Sequence, residues 1–356
     1  MTRLNLGTIS LVGRLDSPAE NSGSVFSHAF SIDGTRLATL NTQQLVVWDL
    51  LTGEIVFAAD RGDAIDVFYS PDKTELYLFN RDGAVDILDG ETGFSQTFIT
   101  THQDFVDGNA YTYDPDNGLL AVVAIQGEVR VWNAPERQAI ANIQLETAEI
   151  NSVVLSDNPG GVATGSESGA VEVWDWQNNE RLTQFQLENN VRVNRMALSV
   201  DALQLAVATD EDIRVWDVAA QALQHVLLTG RGGSTDVLAY APDGGFIVNS
   251  GTAEAMNVWN PGTGDLAAAI EELGGEPTAV AFHADENLML ASVFQGEVSV
   301  WDLDTISDTG IEVTRMPVDA NIIDVGWSPD RRALALFDTG GSIYMWGIPQ
   351  QVDGGE

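Results

Sequence analysis

Tryptophan recurs along this chain at a nearly fixed interval, each time at the end of the same kind of short β-forming string. The strings LVVWD, VRVWN, VEVWD, IRVWD, MNVWN, VSVWD and IYMWG place Trp48, Trp132, Trp174, Trp216, Trp259, Trp301 and Trp346 in one context, and VDILD puts Leu88 in the same slot. Successive slots lie 40, 44, 42, 42, 43, 42 and 45 residues apart. A period of this length overrides the two-domain expectation for 356 residues, because each repeat is one supersecondary unit that buries its faces only against its neighbours.

A second signal precedes each slot by some 15 to 19 residues: SIDG at Ser31, SPDK at Ser70, DPDN at Asp114, SDNP at Ser156, SVDA at Ser199, APDG at Ala241, HADE at His283 and SPDR at Ser328. Asp, Pro, Asn and Gly in these windows supply the preset φ and the side-chain-to-backbone bonds that reverse a chain. In the fifth unit MALS precedes the turn, LQLAVAT follows it, a link at Asp210 to Asp212 comes next, IRVWD follows, and QALQHVLL completes the unit. The pattern predicts four strands of about four to eight residues per period. Helical periodicity long enough for a crossover is absent, which excludes parallel βαβ architectures.

Four strands per period, with Trp-Asp closing the third, resembles the WD-repeat (WD40-like) β-propeller family, and the resemblance covers nearly the whole chain. It implies an all-β propeller of four-stranded antiparallel blades around a central channel, with the third-strand Trp filling the space between blades. Eight blades are expected, seven being the alternative. Leu88 is smaller than Trp, so the second blade is expected to be less tightly filled. After Trp346 only GIPQQVDGGE remains, too polar for another strand, whereas ISLVGRL, from Ile9 to Leu15, is spare and is expected to close the ring beside the last unit. The chain is therefore expected to be a single domain over 1–356, with a closing strand at about 9–15, blades from about 24 to 348 and a polar tail at 349–356. One feature departs from the family pattern. Its members carry Gly-His before the first strand, in a hydrogen-bonded network with the Trp, whereas the openings here read RGDAIDV, ETAEINSV, ENNVRVNR, GGEPTAV and DANIIDV. Packing is expected to hold the blades instead.

Sixteen Lys plus Arg stand against 53 Asp plus Glu, a net charge of −37. Nucleic acid and anionic lipid bind through Lys and Arg with counterion release, so neither is an expected partner. The apolar fraction of 44 % still supports a large core. Zero Cys removes disulfides, thiolate nucleophiles and Cys-based metal sites. The start MTRLNLGTISLVGRLD lacks the apolar core of a signal peptide, so a cytoplasmic location is expected, with an exported fragment lacking its signal as the alternative. Lys73 is the sole lysine, and this acidic, Lys-poor balance suits either high salt or an acidic, Arg-using genome.

Catalytic groups are scarce. His28, His225 and His283 fall on or beside strands and read as structural; His102, in THQDFVD, has acids beside it but not the three or four converging ligands that a metal needs. DPDNG at Asp114 coincides with the repeated turn, and GSESG at Gly165 matches neither a nucleophile elbow nor a phosphate loop. Arg61-Gly62-Asp63 reads as a chance tripeptide, and Trp176 as a cap on the blade edge. No catalytic, cofactor-binding or metal residue is assigned.

In this family the loops that enter the first strand, and those that join second to third strands, form the usual docking face. Arg61, Arg81, Arg192, Arg195 and Arg231 map there, with Phe105 as the large aromatic. They read either as local neutralisation of acids such as Asp60, Asp82, Glu188 and Asp236 or as anchors for a partner, since Arg bonds bidentately and is enriched in interface hot spots. The expected function is a non-catalytic protein-interaction platform, monomeric in isolation, with a protein or peptide partner, no cofactor and no membrane insertion. The alternative is an eight-bladed propeller holding a ligand, calcium or cofactor in its channel, as quinoproteins or lactonases do. A propeller broken from a larger protein is a third reading.

Overall fold

The computed structural model describes residues 10–16, 23–100, 111–124, 127–147, 149–156, 160–228, 237–251, 255–270, 277–283, 289–294, 297–303, 311–316, 318–329 and 333–347. Their strands form eight four-stranded sheets, every pairing antiparallel. Seven sheets take four strands consecutive in sequence. In the fifth unit these are Arg195–Leu198, Gln204–Ala208, Ile213–Asp217 and Ala222–Leu227. The eighth sheet combines Ile322–Trp327, Ala333–Asp338 and Ile343–Gly347 with the strand Ser10–Leu15, which pairs from Ser10 opposite Gly347 to Leu15 opposite Ile343. The propeller is thus built of four-stranded antiparallel blades.

The repeated turn between first and second strands has a shared chemistry. The hydroxyls of Ser31, Ser70 and Ser199 donate to Asp33, Asp72 and Asp201 two residues on, at 2.8, 2.8 and 2.6 Å, and accept the backbone N–H of Arg36, Glu75 and Gln204 at 2.9 Å each. Each Asp also accepts the N–H two residues further on. The fourth turn residue is left-handed, at φ +68° for Gly34, +60° for Lys73, +54° for Ala202 and +72° for Gly244. Turn bonds of this kind end the first strand before the β-propensity runs out.

In units one to six the Asp or Asn after the slot residue does the same for the next turn, whereas Gly347 follows Trp346. Asp49 Oδ1 accepts the N–H of Leu51 and Thr52, Asp89 that of Glu91 and Thr92, and Asn260 that of Gly262 and Thr263. Asp or Asn therefore follows Trp because it nucleates the third-to-fourth turn, while the Trp itself faces the neighbouring sheet.

Eight apolar clusters occupy eight sheet-to-sheet contacts. Each slot residue packs against the preceding unit: Trp132 with Tyr77 and Phe79, Trp174 with Ile143, Trp216 with Val171, Trp259 with Ala206, Trp301 with Val248, and Trp346 with Val300. Trp48 packs with Phe337 and Ile343 of the last unit and with Leu15, so the last sheet contacts the first. Leu88 is fully buried in its slot, and Val56 and Phe57 from the preceding outer strand pack against the same cluster. Second strands such as Leu119–Ala124 and Gly161–Ser166 are buried at every position because sheets cover both faces, whereas outer strands such as Gln138–Gln144 are largely exposed.

Polar anchoring of the tryptophans is not absent, contrary to expectation. Trp48 Nε1 donates to Thr39 Oγ1 at 3.2 Å and Trp259 Nε1 to Asn249 Oδ1 at 2.7 Å, both acceptors lying on second strands. Trp174 instead donates to the buried Glu172 at 3.1 Å. The indole N–H groups of Trp132, Trp216 and Trp346 have no hydrogen-bond partner among the described residues, and for these slots packing supplies the stabilisation.

Candidate functional site

First strands of neighbouring sheets pack together, as Ser27–Phe30 does with Ala64–Tyr69 and Arg195–Leu198 with Leu238–Tyr240. Loops from outer strand to next first strand, and from second to third strand, share one face. First-to-second and third-to-fourth turns share the opposite face.

On the first face the predicted arginines take different roles. Arg61 donates from Nη1 to its neighbour's carbonyl, Asp60 O, at 2.7 Å and from Nη2 to Gly93 O at 3.3 Å, so it braces backbone and does not neutralise the Asp60 carboxylate. Arg81 is exposed, its backbone N–H joined to Asp63 O at 2.9 Å, which ties the two loops of unit two together. Arg192 Nη2 lies 3.1 Å from Glu167 Oε1, both side chains about half exposed. Arg195 opens the first strand of unit five and is exposed. The segment carrying this pair is held to unit four: Val193 N–H donates to Ser166 O at 3.1 Å, and Asn151 Nδ2 to Val193 O at 2.8 Å and Glu167 Oε1 at 3.3 Å. The structure brings Arg192 and Arg195 to one place at the unit-five inlet and sets Arg61 and Arg81 apart at unit two. Phe105, Arg231 and His102 lie outside the described residues.

The channel wall carries a polar chain that sequence reasoning missed. His28 Nδ1 lies 3.1 Å from Asp324 Oδ2, linking units eight and one, and its ring stacks on Phe337 at 4.2 Å. The adjacent Ser27 donates to Asp66 of unit two, and Asp66 accepts the Tyr111 hydroxyl of unit three at 2.9 Å and the N–H of Val67 at 2.9 Å. Burial raises the Asp66 carboxyl above the ordinary carboxylate range, against the opposing pull of these donors and of His28. The available signal was an acid inside an apolar first strand, AIDVFY and IIDVGW. The structural readings of His28, His225 and His283 fit their surroundings: His225 Nε2 lies 3.2 Å from Gly262 O, and His283 is buried edge-on to Trp327. Among the described residues, no group of three or more His, Cys, Asp or Glu could hold a metal ion. No described helix is long and apolar enough to cross a membrane.

A sequence model of the family described as nucleolar protein 10-like, N-terminal domain, a β-propeller, matches residues 61–264, more than half of the chain. Apoptotic protease-activating factor 1 of Rattus norvegicus is 22 % identical across 90 % of this chain and 25 % of its own length. WD repeat-containing protein 1 of Xenopus tropicalis is 23 % identical across 93 % of this chain and 55 % of its own. The chain thus spans between a quarter and little over half of these relatives. Among solved structures, the C-terminal WD40 domain of Sif2 superposes with a TM-score of 0.73 at 13 % identity, covering 96 % of this chain and 98 % of that one. The computationally designed Ika8 protein superposes at 0.74 with 19 % identity, covering 94 % and 99 %. At these identities the superpositions establish the fold. Together with the repeat chemistry, the family match means that the chain belongs to the nucleolar protein 10-like N-terminal domain family of WD-repeat β-propellers.

Proposed function

We propose that this propeller closes as an eight-bladed ring, completed by its N-terminal strand, and acts as a non-catalytic platform that binds another protein through the face carrying Arg192 and Arg195. The observation behind this reading is a pair of exposed guanidinium groups on a segment fixed by Asn151 and Ser166, on a chain whose net charge is −37. Such groups anchor carboxylates of a partner while contributing little to folding: about 0–1 kcal/mol for an exposed ion pair, against 2 kcal/mol or more for a binding hot spot. WD-repeat relatives along nearly the whole chain support a docking role.

The test is capture of partners from the native host by tagged protein. Reversing both residues, Arg192→Glu with Arg195→Glu, should abolish capture at unchanged melting temperature. The control on the opposite face is Lys73→Glu, at an exposed turn. Arg36 is unsuitable there, because its guanidinium is largely buried against Asp49 and 3.7 Å from Glu91, and Arg331 lies outside the described residues. Equal loss from both faces would show that overall charge governs association. Turnover, or a stoichiometric bound cofactor, would displace the platform reading.

A further inference from the structure

We propose that the channel mouth on the opposite face, among the first-to-second turns, docks a basic peptide segment that inserts one large apolar side chain; the proposal rests on the platform reading and adds a second contact to it. A cavity of about 310 Å³ opens there, formed by units eight, one, two and three and walled by Phe30, Ile32, Phe68, Tyr69, Pro115 and Trp327. That volume lies at the lower limit of the ~300–1,000 Å³ of small-molecule pockets, room for a single bulky group.

The lip matches the same occupant. The second residue of the turn window is apolar at Ile32, Pro115 and Pro329, which line the cavity. Proline presets the φ a turn needs at this position. Ile32 does not, yet this β-branched residue stands 49 % exposed, a cost to solvation that turn chemistry does not explain. The third residue of the turns beside the cavity is acidic, Asp33 paired with Lys73, and Asp72 and Asp116 exposed. The nearby cations are already engaged, Lys73 with Asp33 and Arg36 with Asp49. An apolar hole with aromatic walls beside exposed carboxylates is complementary to an apolar side chain flanked by Lys or Arg, and the aromatic faces themselves attract cations.

Isothermal titration calorimetry at low salt separates the components. The peptide Lys-Lys-Trp-Lys-Lys should bind one to one and at least tenfold more tightly than Lys-Lys-Ala-Lys-Lys, and Glu-Glu-Trp-Glu-Glu should not bind. Ile32→Lys with Pro115→Lys should weaken the Trp peptide at least tenfold. The matched pair Leu51→Lys with Phe94→Lys, at exposed third-to-fourth turns of the same face, should change it less than threefold. All four positions are exposed, so folding is retained and a melting curve verifies it. Equal affinity for the Trp and Ala peptides, or equal loss from the two pairs, would overturn the site and reduce the face to a general acidic surface. If capture from the host depends on Arg192 and Arg195 while the Trp peptide ignores the mouth, the platform stands and this site falls. Peptide binding at the mouth with no protein captured from the host would support the site and remove the first reading.

Discussion

Asp66 illustrates what a single residue contributes here and what a linear reading of the chain misses. Its carboxyl accepts bonds from Ser27 and Tyr111, 39 and 45 residues away, which only the packing of neighbouring units brings to it, and from the adjacent Val67 N–H. The turn residues, by contrast, were legible because Ser31, Asp33 and Gly34 act on backbone within five residues of themselves. The same locality explains why the Asp or Asn after seven of the eight slot residues was recognisable. Since burial raises the folded-state pKa of Asp66 above its unfolded value, the group costs stability progressively as pH rises through the unfolded value of about 3.9 to the folded one, and the cost stays constant above that. Asp66→Asn keeps an acceptor for Ser27 and Val67 without the buried charge. It should be at least as stable as the parent at pH 7, with the difference vanishing by about pH 3. Asp66→Ala should lose about 1–3 kcal/mol by leaving buried donors unpaired. Thermal melts of both variants across this range check the sign; an Asn variant weaker than the Ala variant at pH 7 would contradict it.

Strands and their order were legible at the scale of the element, because period-two patterning and turn residues agree in every unit. Boundaries moved by one or two residues for a physical reason: Ser199 and Thr209, read as strand ends, instead serve turns, where Ser199 takes the N–H of Gln204 and Thr209 the N–H groups of Glu211 and Asp212. The partners of the arginines were not foreseen; Arg192 meets Glu167 across a unit boundary and Arg61 meets Gly93. The apolar turn-face cavity escaped notice because its wall is assembled from four units, each giving a few residues at the end of its first strand and in the turn after it. The strand Ser10–Leu15 carries the proposed ring closure: Leu15 is buried in the cluster between last and first units, and Arg14 Nη2 donates to Ser342 Oγ at 3.2 Å. Deleting residues 1 to 16 should lower the melting temperature by several degrees, corresponding to a few kcal/mol. Leu15→Asp should reproduce much of that loss. An unchanged melt for both would show that the last sheet holds without this strand.

At the scale of the whole molecule, 53 acids against 16 basic residues make self-repulsion a property of the fold. Exposed ion pairs such as Arg192 with Glu167 at 3.1 Å and Arg315 with Glu297 at 3.0 Å contribute little. The surplus negative charge dominates, so stability should rise with NaCl from 0.01 M, where the Debye length is about 30 Å, to 1 M, where it is about 3 Å. A flat or falling melting temperature over that range would contradict the argument. The two faces nevertheless differ, one presenting Arg192 and Arg195 and the other exposed carboxylates beside an apolar mouth, and the central claim is that partner binding uses a defined face of a rigid ring. Hydrogen exchange of the captured complex tests this most directly. Protection that includes residues 188–195, and is retained by Lys73→Glu, is the predicted result; no protection at that segment would contradict it.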